Sequence, residues 1–312
     1  MNGAVISLVD AGVTFQAGQI WERRSVDAVK AVSFAIRGGE TLGLVGESGS
    51  GKTTIGRICL GAVRPTRGAV HFEDQPFPRQ RGALPGRLAV VLQHPEWALN
   101  PRLRCGVSVA EPLRVIGEGA DAARQRVADM LERVGLEPRF ARRYPHELSG
   151  GQRQRMAIAR ALITNPRFVV FDEAVSALDV SVQTQVLNLV KELQQREGFA
   201  ALFISHDLAA TRYVSHRIAV LYAGEIMELA PVERFYERPS HPYSRALRVS
   251  IAEWERETFE LGGDIEAIGV GGCPLSQRCP WAIERCHAER PVLRELADGV
   301  VACHRAEECA QA

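Results

Sequence analysis

Lysine is almost missing from this chain: Lys30, Lys52 and Lys191 stand against 35 arginines in 312 residues. A lysine kept in so arginine-rich a background marks a place that needs a compact ammonium instead of a planar fork. Long apolar runs are missing too. No stretch approaches the ~20 apolar residues that span a bilayer. The start, Met1-Asn-Gly-Ala-Val-Ile-Ser, has no basic segment leading into an apolar one, so no signal peptide is expected. These absences predict a cytosolic protein that works at a membrane only through a partner embedded there. Neither sign of charge dominates. A net charge of +1 speaks against a nucleic-acid partner, whose phosphates demand a basic surface. Repeats and low-complexity tracts are absent as well. Cysteine is sparse until the end of the chain. Cys59 and Cys105 are isolated and read as unreactive thiols, whereas the other five fall between residues 273 and 309.

What is present begins with one of the three lysines. Gly46-Glu47-Ser48-Gly49-Ser50-Gly51-Lys52-Thr53 fits G-x-x-x-x-G-K-[ST], between an apolar run (Glu40–Val45) and a helical pattern that opens at Thr54. A strand, a glycine-rich loop and a helix start together cradle phosphate with backbone N–H groups. Lys52 is predicted to reach the β- and γ-phosphates and Thr53 to ligate Mg²⁺. Further on, the apolar Phe168–Phe171 delivers Asp172 and Glu173 to a strand end, where open α/β sheets place their ligands. Asp172 suits Mg²⁺, and Glu173 suits a base that polarises an attacking water. Leu148-Ser149-Gly150-Gly151-Gln152 precedes a helical segment and reads as a second anion site at a helix start, with the Ser149 hydroxyl as an added donor.

The rest of the pattern is α/β. Apolar runs at Val5–Leu8, Val32–Ile36, Thr41–Val45, Val70–Glu73 and Leu88–Leu92 predict a β-rich start. Helical spacing follows over about 107–134, 152–164 and 180–197. Ala200–Ile204 reads as a strand, and Arg217–Leu221 with Gly224–Glu228 as a hairpin. Strands alternating with helices imply a mainly parallel sheet. A domain boundary is expected near 255/256, giving a nucleotide-binding domain of residues 1–255 and a Cys-rich extension of residues 256–312. A glycine-rich break at 262–272 introduces the cysteines.

Leu148–Gln152 resembles the signature sequence of ABC-transporter ATPases, and its order after the phosphate loop and before Asp172 is theirs. The resemblance implies a P-loop fold with a mainly parallel core sheet, an antiparallel β subdomain and a helical subdomain that carries the signature. It implies head-to-tail dimers in which each ATP lies between the phosphate loop of one subunit and the signature helix of the other. Under it Gln93 is similar to the glutamine that touches Mg²⁺ and the water. Asp179, in Ser176-Ala-Leu-Asp179, resembles the residue that crosses the dimer interface, and His206 the histidine on the γ-phosphate. Phe15 sits where an aromatic stacks on adenine, although by itself it reads equally as core. Thr54 joins the loop residues that hold nucleotide. His71, His94, His146, His216 and His241 read as surface or structural.

The likeness narrows through Gln93-His-Pro-Glu-Trp-Ala-Leu-Asn-Pro-Arg102, Phe203-Ile-Ser-His-Asp-Leu208 and His241-Pro-Tyr-Ser-Arg-Ala-Leu247, which resemble ATPase subunits of oligopeptide, dipeptide and nickel importers. That implies ATP hydrolysis coupled to solute uptake. The implied partners are two membrane permeases, a second ATPase subunit (a paralogue or a second copy) and, indirectly, an extracytoplasmic solute-binding protein. The implied place is the cytoplasmic face of the membrane. A soluble ABC ATPase without a membrane partner is the rival from another class, and a P-loop kinase is disfavoured by the signature. Two departures stand out: Ala174-Val175 replaces the usual Pro-Thr, and residues 248–257 lack the proline-rich link of such subunits.

Cys273, Cys279, Cys286 and Cys303 are spaced x5, x6 and x16, and two are followed by proline. Four thiolates suit tetrahedral zinc or an iron–sulfur cluster. The resemblance implies [4Fe-4S], with Cys309 uninvolved.

Overall fold

A computed structural model describes residues 3–17, 24–79, 83–249, 260–262, 269 and 271–311. The expected domain boundary, residues 250–257 of the departure after Leu247 and most of the glycine-rich break fall outside these. The chain opens on two long antiparallel strands, β1 (Ala4–Ala17) and β2 (Arg24–Arg37), followed by β3 (Thr41–Val45). Sequence periodicity exposed only short runs here because the long pair is broken by register shifts near Asp10 and Ala31, both with positive φ. β4 (Arg67–Phe72) and β5 (Gln75–Pro76) complete a four-stranded antiparallel sheet in the order β2-β1-β4-β5.

The second sheet has eight strands. β6 (Leu88–Leu92), β7 (Phe168–Asp172), β8 (Ala200–Ile204) and β9 (Arg217–Tyr222) join β3 in parallel. β10 (Glu225–Pro231), β11 (Arg294–Leu296) and β12 (Gly299–Val301) extend it antiparallel, giving β11-β12-β10-β9-β3-β8-β7-β6. The parallel strands β3, β7, β8 and β9 are buried on both faces, so they read as apolar runs without alternation. Helix α1 (Lys52–Cys59) follows β3, while α2 (Cys105–Val115), α3 (Ala120–Arg133) and α4 (Gly150–Leu162) lie between β6 and β7. α5 (Val180–Glu197) occupies the range its pattern predicts, because both ends are written in sequence. Asp179 caps its N-terminus by accepting the Val182 N–H at 3.0 Å, and Gly198 closes it with φ +69°. The apolar faces of α2–α5 form one core with Val169, Phe171 and Phe203. The other face of the sheet packs on the antiparallel sheet and α1 through Ile6, Leu8, Ile36, Leu44, Ile55 and Leu202.

The C-terminal part does not hang free. β12 pairs with β10 (Val301 opposite Glu228), and the Ala302 N–H donates to the Met227 carbonyl at 2.8 Å. Three-residue strands carry too little pattern to be read in sequence. After α6 (Leu208–Val214) and β10, helices α7 (Val232–Glu237) and α8 (Pro242–Val249) bring Phe235, Tyr236 and Tyr243 into a third core with Val45, Tyr222, Leu275, Cys273 and Cys286. His241 is structural, as expected: it is buried, and its Nδ1 accepts the Tyr243 N–H at 3.0 Å. Burial lowers its pKa to about 3. Among the described residues no helix is long and apolar enough to cross a membrane.

Candidate functional site

The parallel strands end on one edge of the sheet, and register decides what meets there. Leu44 pairs with Ile204, Ile204 with Asp172, and Asp172 with Leu92. The next residues therefore gather in one row: the loop from Gly46, then Ser205-His206, then Glu173, then Gln93. Gly46 and Ser205, 159 positions apart along the chain, Ser205 and Glu173, 32 apart, and Glu173 and Gln93, 80 apart, become neighbours through this ladder.

The phosphate loop is shaped by its glycines. Gly46 and Gly51 have φ of +150° and +106°, and a Cβ on either would stand 2.1 Å from the Leu221 oxygen or 2.4 Å from the Ala28 oxygen. Only glycine fits there. Gly51 leaves α1 without a side-chain cap, so the first N–H groups of the helix stay open to an anion. Ser48 and Gly49 are exposed, Ser50 is buried, and Thr54 lies one turn along the helix. The Lys52 ammonium is buried and donates to the Gly46 and Glu47 carbonyls, both at 2.8 Å. Desolvation lowers its pKa, against the pull of Glu173 and Asp172. Thr53 Oγ1 donates to Asp172 Oδ1 at 3.3 Å. Burial raises the Asp172 pKa, the Thr53 bond opposes this, and the Glu173 charge adds to it.

Glu173 lies on the far side of Asp172 with φ +51°, a conformation that costs a non-glycine residue of order 1 kcal/mol or more. Its N–H donates to the Ile204 carbonyl at 2.9 Å, and its Oε2 faces His206 Nδ1 at 3.3 Å. The turn that follows runs through Ala174 and Val175, both buried in the helical core, and is tied back by the Ser176 hydroxyl on the Glu173 carbonyl at 2.9 Å. This bond does at residue 176 some of what proline would do at 174.

Ser149 has a local role at the start of α4. Its hydroxyl accepts the Gln152 N–H at 3.3 Å while Gln152 Oε1 accepts the Ser149 N–H at 3.0 Å, a reciprocal box that caps α4. Gly150 is exposed, with nothing within 4 Å of where a Cβ would stand, whereas a Cβ on Gly151 would stand 2.6 Å from Val182 Cγ1. Among the described residues no hydrogen bond or ion pair links Ser149, Gly150, Gly151 or Gln152 to the phosphate loop. Asp179 is engaged as the cap of α5. Phe15 is 41% exposed on β1, opposite Val26, so it is a surface side chain and not core.

Cys273, Cys279, Cys286 and Cys303 line a single small pocket with Leu275, Trp281, His304 and Arg305. The fold brings together the four cysteines that the sequence grouped. Among the described residues no group of three or more His, Cys, Asp or Glu is placed to hold a metal ion. Burial raises the thiol pKa of Cys273 to about 11 and of Cys303 to about 12. Cys309 is buried beside them and lines no part of the pocket.

A parallel sheet whose edge gathers a glycine loop, a buried lysine, two carboxylates and a histidine defines a P-loop nucleoside triphosphatase. Residues 29–176 match the family model of the ABC transporter, and residues 227–286 that of the oligopeptide/dipeptide transporter C-terminal region. A putative peptide import ATP-binding protein of Brucella abortus is 50% identical over 287 residues, covering 89% of this chain and 86% of its own. A putative oligopeptide transport ATP-binding protein of Bacillus subtilis is 44% identical over 305 residues, covering 93% and 92%. Among solved structures, the dimeric ATP-binding cassette MJ0796 with ADP and Pi superposes with a TM-score of 0.64 at 30% identity, over 73% of this chain and 98% of that one. The chain belongs to the ABC transporter family, as an ATP-binding subunit of the oligopeptide/dipeptide branch.

Proposed function

We propose that this chain hydrolyses ATP to drive import of di- or oligopeptides across the cytoplasmic membrane, bound peripherally to two permease subunits and paired with a second ATPase subunit. The observation that carries the reading is the joining of a complete phosphate edge to a peptide-transporter tail in one sheet. Lys52 and the open N–H groups of α1 bind the phosphates. Thr53, Asp172 and Gln93 would hold Mg²⁺, which would supply charge neutralisation for the phosphoryl group when bound. Glu173 takes the proton of the attacking water, and His206 orients Glu173 and meets the γ-phosphate. Phe15 offers its exposed ring to adenine. Ser149, Gly150 and Gly151 present the N-terminus of α4 to the nucleotide of the partner subunit, with Asp179 at the seam. Residues 1–255 form the ATPase and 256–312 the extension.

A membrane partner is favoured over a soluble machine by Trp97 and Leu103, 72% and 41% exposed in the segment that follows Gln93. Exposed aromatic surface beside a site marks docking. In cells lacking the gene, restoring this chain is expected to restore uptake of a labelled tripeptide, and Lys52→Ala is expected to restore none. Restored nickel uptake without peptide uptake assigns the solute to nickel. Failure to restore either, with ATPase activity intact, rejects the importer reading.

We further propose that the four thiols hold a [4Fe-4S] cluster. In support, they line one pocket, and buried thiols gain most from a centre that replaces their protons. Anaerobic purification is expected to give near four irons and four sulfides per chain. One zinc per chain, or no metal with four titratable thiols, rejects it.

A further inference from the structure

Glu47 is an acidic side chain inside a loop that binds polyanions, and its N–H and its carboxylate are turned towards the C-terminal part. Its N–H donates to the Tyr243 hydroxyl at 2.8 Å, and its carbonyl accepts Lys52 Nζ at 2.8 Å. Its carboxylate is gripped on both oxygens by Arg278, at 3.0 and 3.1 Å. Arg278 is only 6% exposed and comes from 231 residues further along the chain. Its Nη1 also donates to the Tyr222 hydroxyl at 3.3 Å, and the Tyr222 and Tyr243 rings meet edge-on at 4.8 Å. A two-point guanidinium grip fixes direction as well as distance.

What carries Arg278 is equally well fixed. It sits one residue before Cys279 on a tight turn in which the Ser276 N–H donates to the Cys273 carbonyl and the Arg278 and Cys279 N–H groups to the Leu275 carbonyl. Leu275, 1% exposed, packs in one cluster with Tyr222, Tyr243 and Val45, the residue before Gly46. A continuous chain of contacts thus runs from the cysteine turn through Arg278 and Glu47 to the acceptors that hold Lys52.

We propose that Arg278 is a positioning residue for the phosphate loop: by binding Glu47 it sets the loop's shape and cancels a carboxylate that would otherwise repel phosphate. The inference rests on the ATPase reading, since it concerns how that site takes nucleotide. It separates from a merely structural role by charge. If Arg278 only fastened the tail, removing it would lower thermal stability and leave nucleotide affinity alone. If it acts through Glu47, its loss leaves an uncompensated negative charge beside the β-phosphate, and neutralising that charge repairs the defect.

The test is the Kd of the full-length chain for Mg²⁺ with a slowly hydrolysed fluorescent ATP analogue, with melting temperature measured alongside. Arg278→Met is expected to weaken binding about tenfold or more, near 1.4 kcal/mol. Arg278→Lys, a single-point grip, is expected to fall between it and the native chain. Glu47→Gln in the Arg278→Met background is expected to recover most of the loss, and hydrogen exchange over residues 46–53 to rise in Arg278→Met alone. Native affinity in Arg278→Met, or no recovery on adding Glu47→Gln, overturns the proposal while Lys52→Ala, still deficient, upholds the nucleotide site. A native chain that binds no nucleotide at all overturns both.

Discussion

Glu173→Gln is expected to lower steady-state ATP hydrolysis by about 10²–10⁴-fold, the range a general base contributes, while ATP binding persists. The exchange keeps the volume and leaves one oxygen to face His206, whose Nδ1 stands 3.3 Å from Glu173 Oε2, but an amide cannot take the proton of water. The backbone at residue 173, held at positive φ by the bond from its N–H to the Ile204 carbonyl, is set by the strand ladder and not by the side chain. The fold is therefore unaffected. Trapped with ATP, the variant is expected to elute as a dimer that falls apart only slowly. Hydrolysis at the native rate would transfer the role of base to another group, His206 being the nearest.

Gly150→Asp is the second large effect. Gly150 is exposed at the first helical position of α4, with open space where the new side chain would go. A carboxylate there interacts favourably with the helix N-terminus, a gain of about 0.3–1 kcal/mol, so the melting temperature is expected to hold or rise. Facing phosphates across a dimer, the same charge is expected to remove turnover by about 10²-fold or more. Gly151 is the poorer choice, because a side chain there also presses on Val182. Mixing Gly150→Asp with Lys52→Ala is expected to recover activity that neither shows alone, since the mixed dimer keeps one intact pair of halves. Full hydrolysis by Gly150→Asp alone would place the α4 N-terminus outside the reaction.

The phosphate edge was legible in sequence because its chemistry is local. Gly46–Thr53 and Asp172-Glu173 each carry their function within a few residues, and the ladder only has to bring their strand ends together. Helix α5 was legible for a related reason, its caps being single residues of strong preference. The capping role of Ser149 was not visible because a serine before two glycines looks the same whether it serves a ligand or its own helix. Gln152, three residues on, supplies the other half of the box. The long strands β1 and β2 were fragmented in the reading because their bulges interrupt the period of two. Most remote from sequence was the pairing of Glu47 with Arg278, since it depends on where the fold places the C-terminal part.

The edge that β12 covers has a consequence in time. Val300 and Val301 pair with Leu229 and Glu228, strands separated by some seventy residues of chain. A ribosome adding about 5–20 residues per second finishes β10 several seconds before its cover exists. Throughout that interval the nascent protein carries an open strand edge, the kind of surface on which two unfinished chains join. Crowded polysomes and premature stops between the codons of β10 and β12 would then yield aggregation instead of a shortened ATPase.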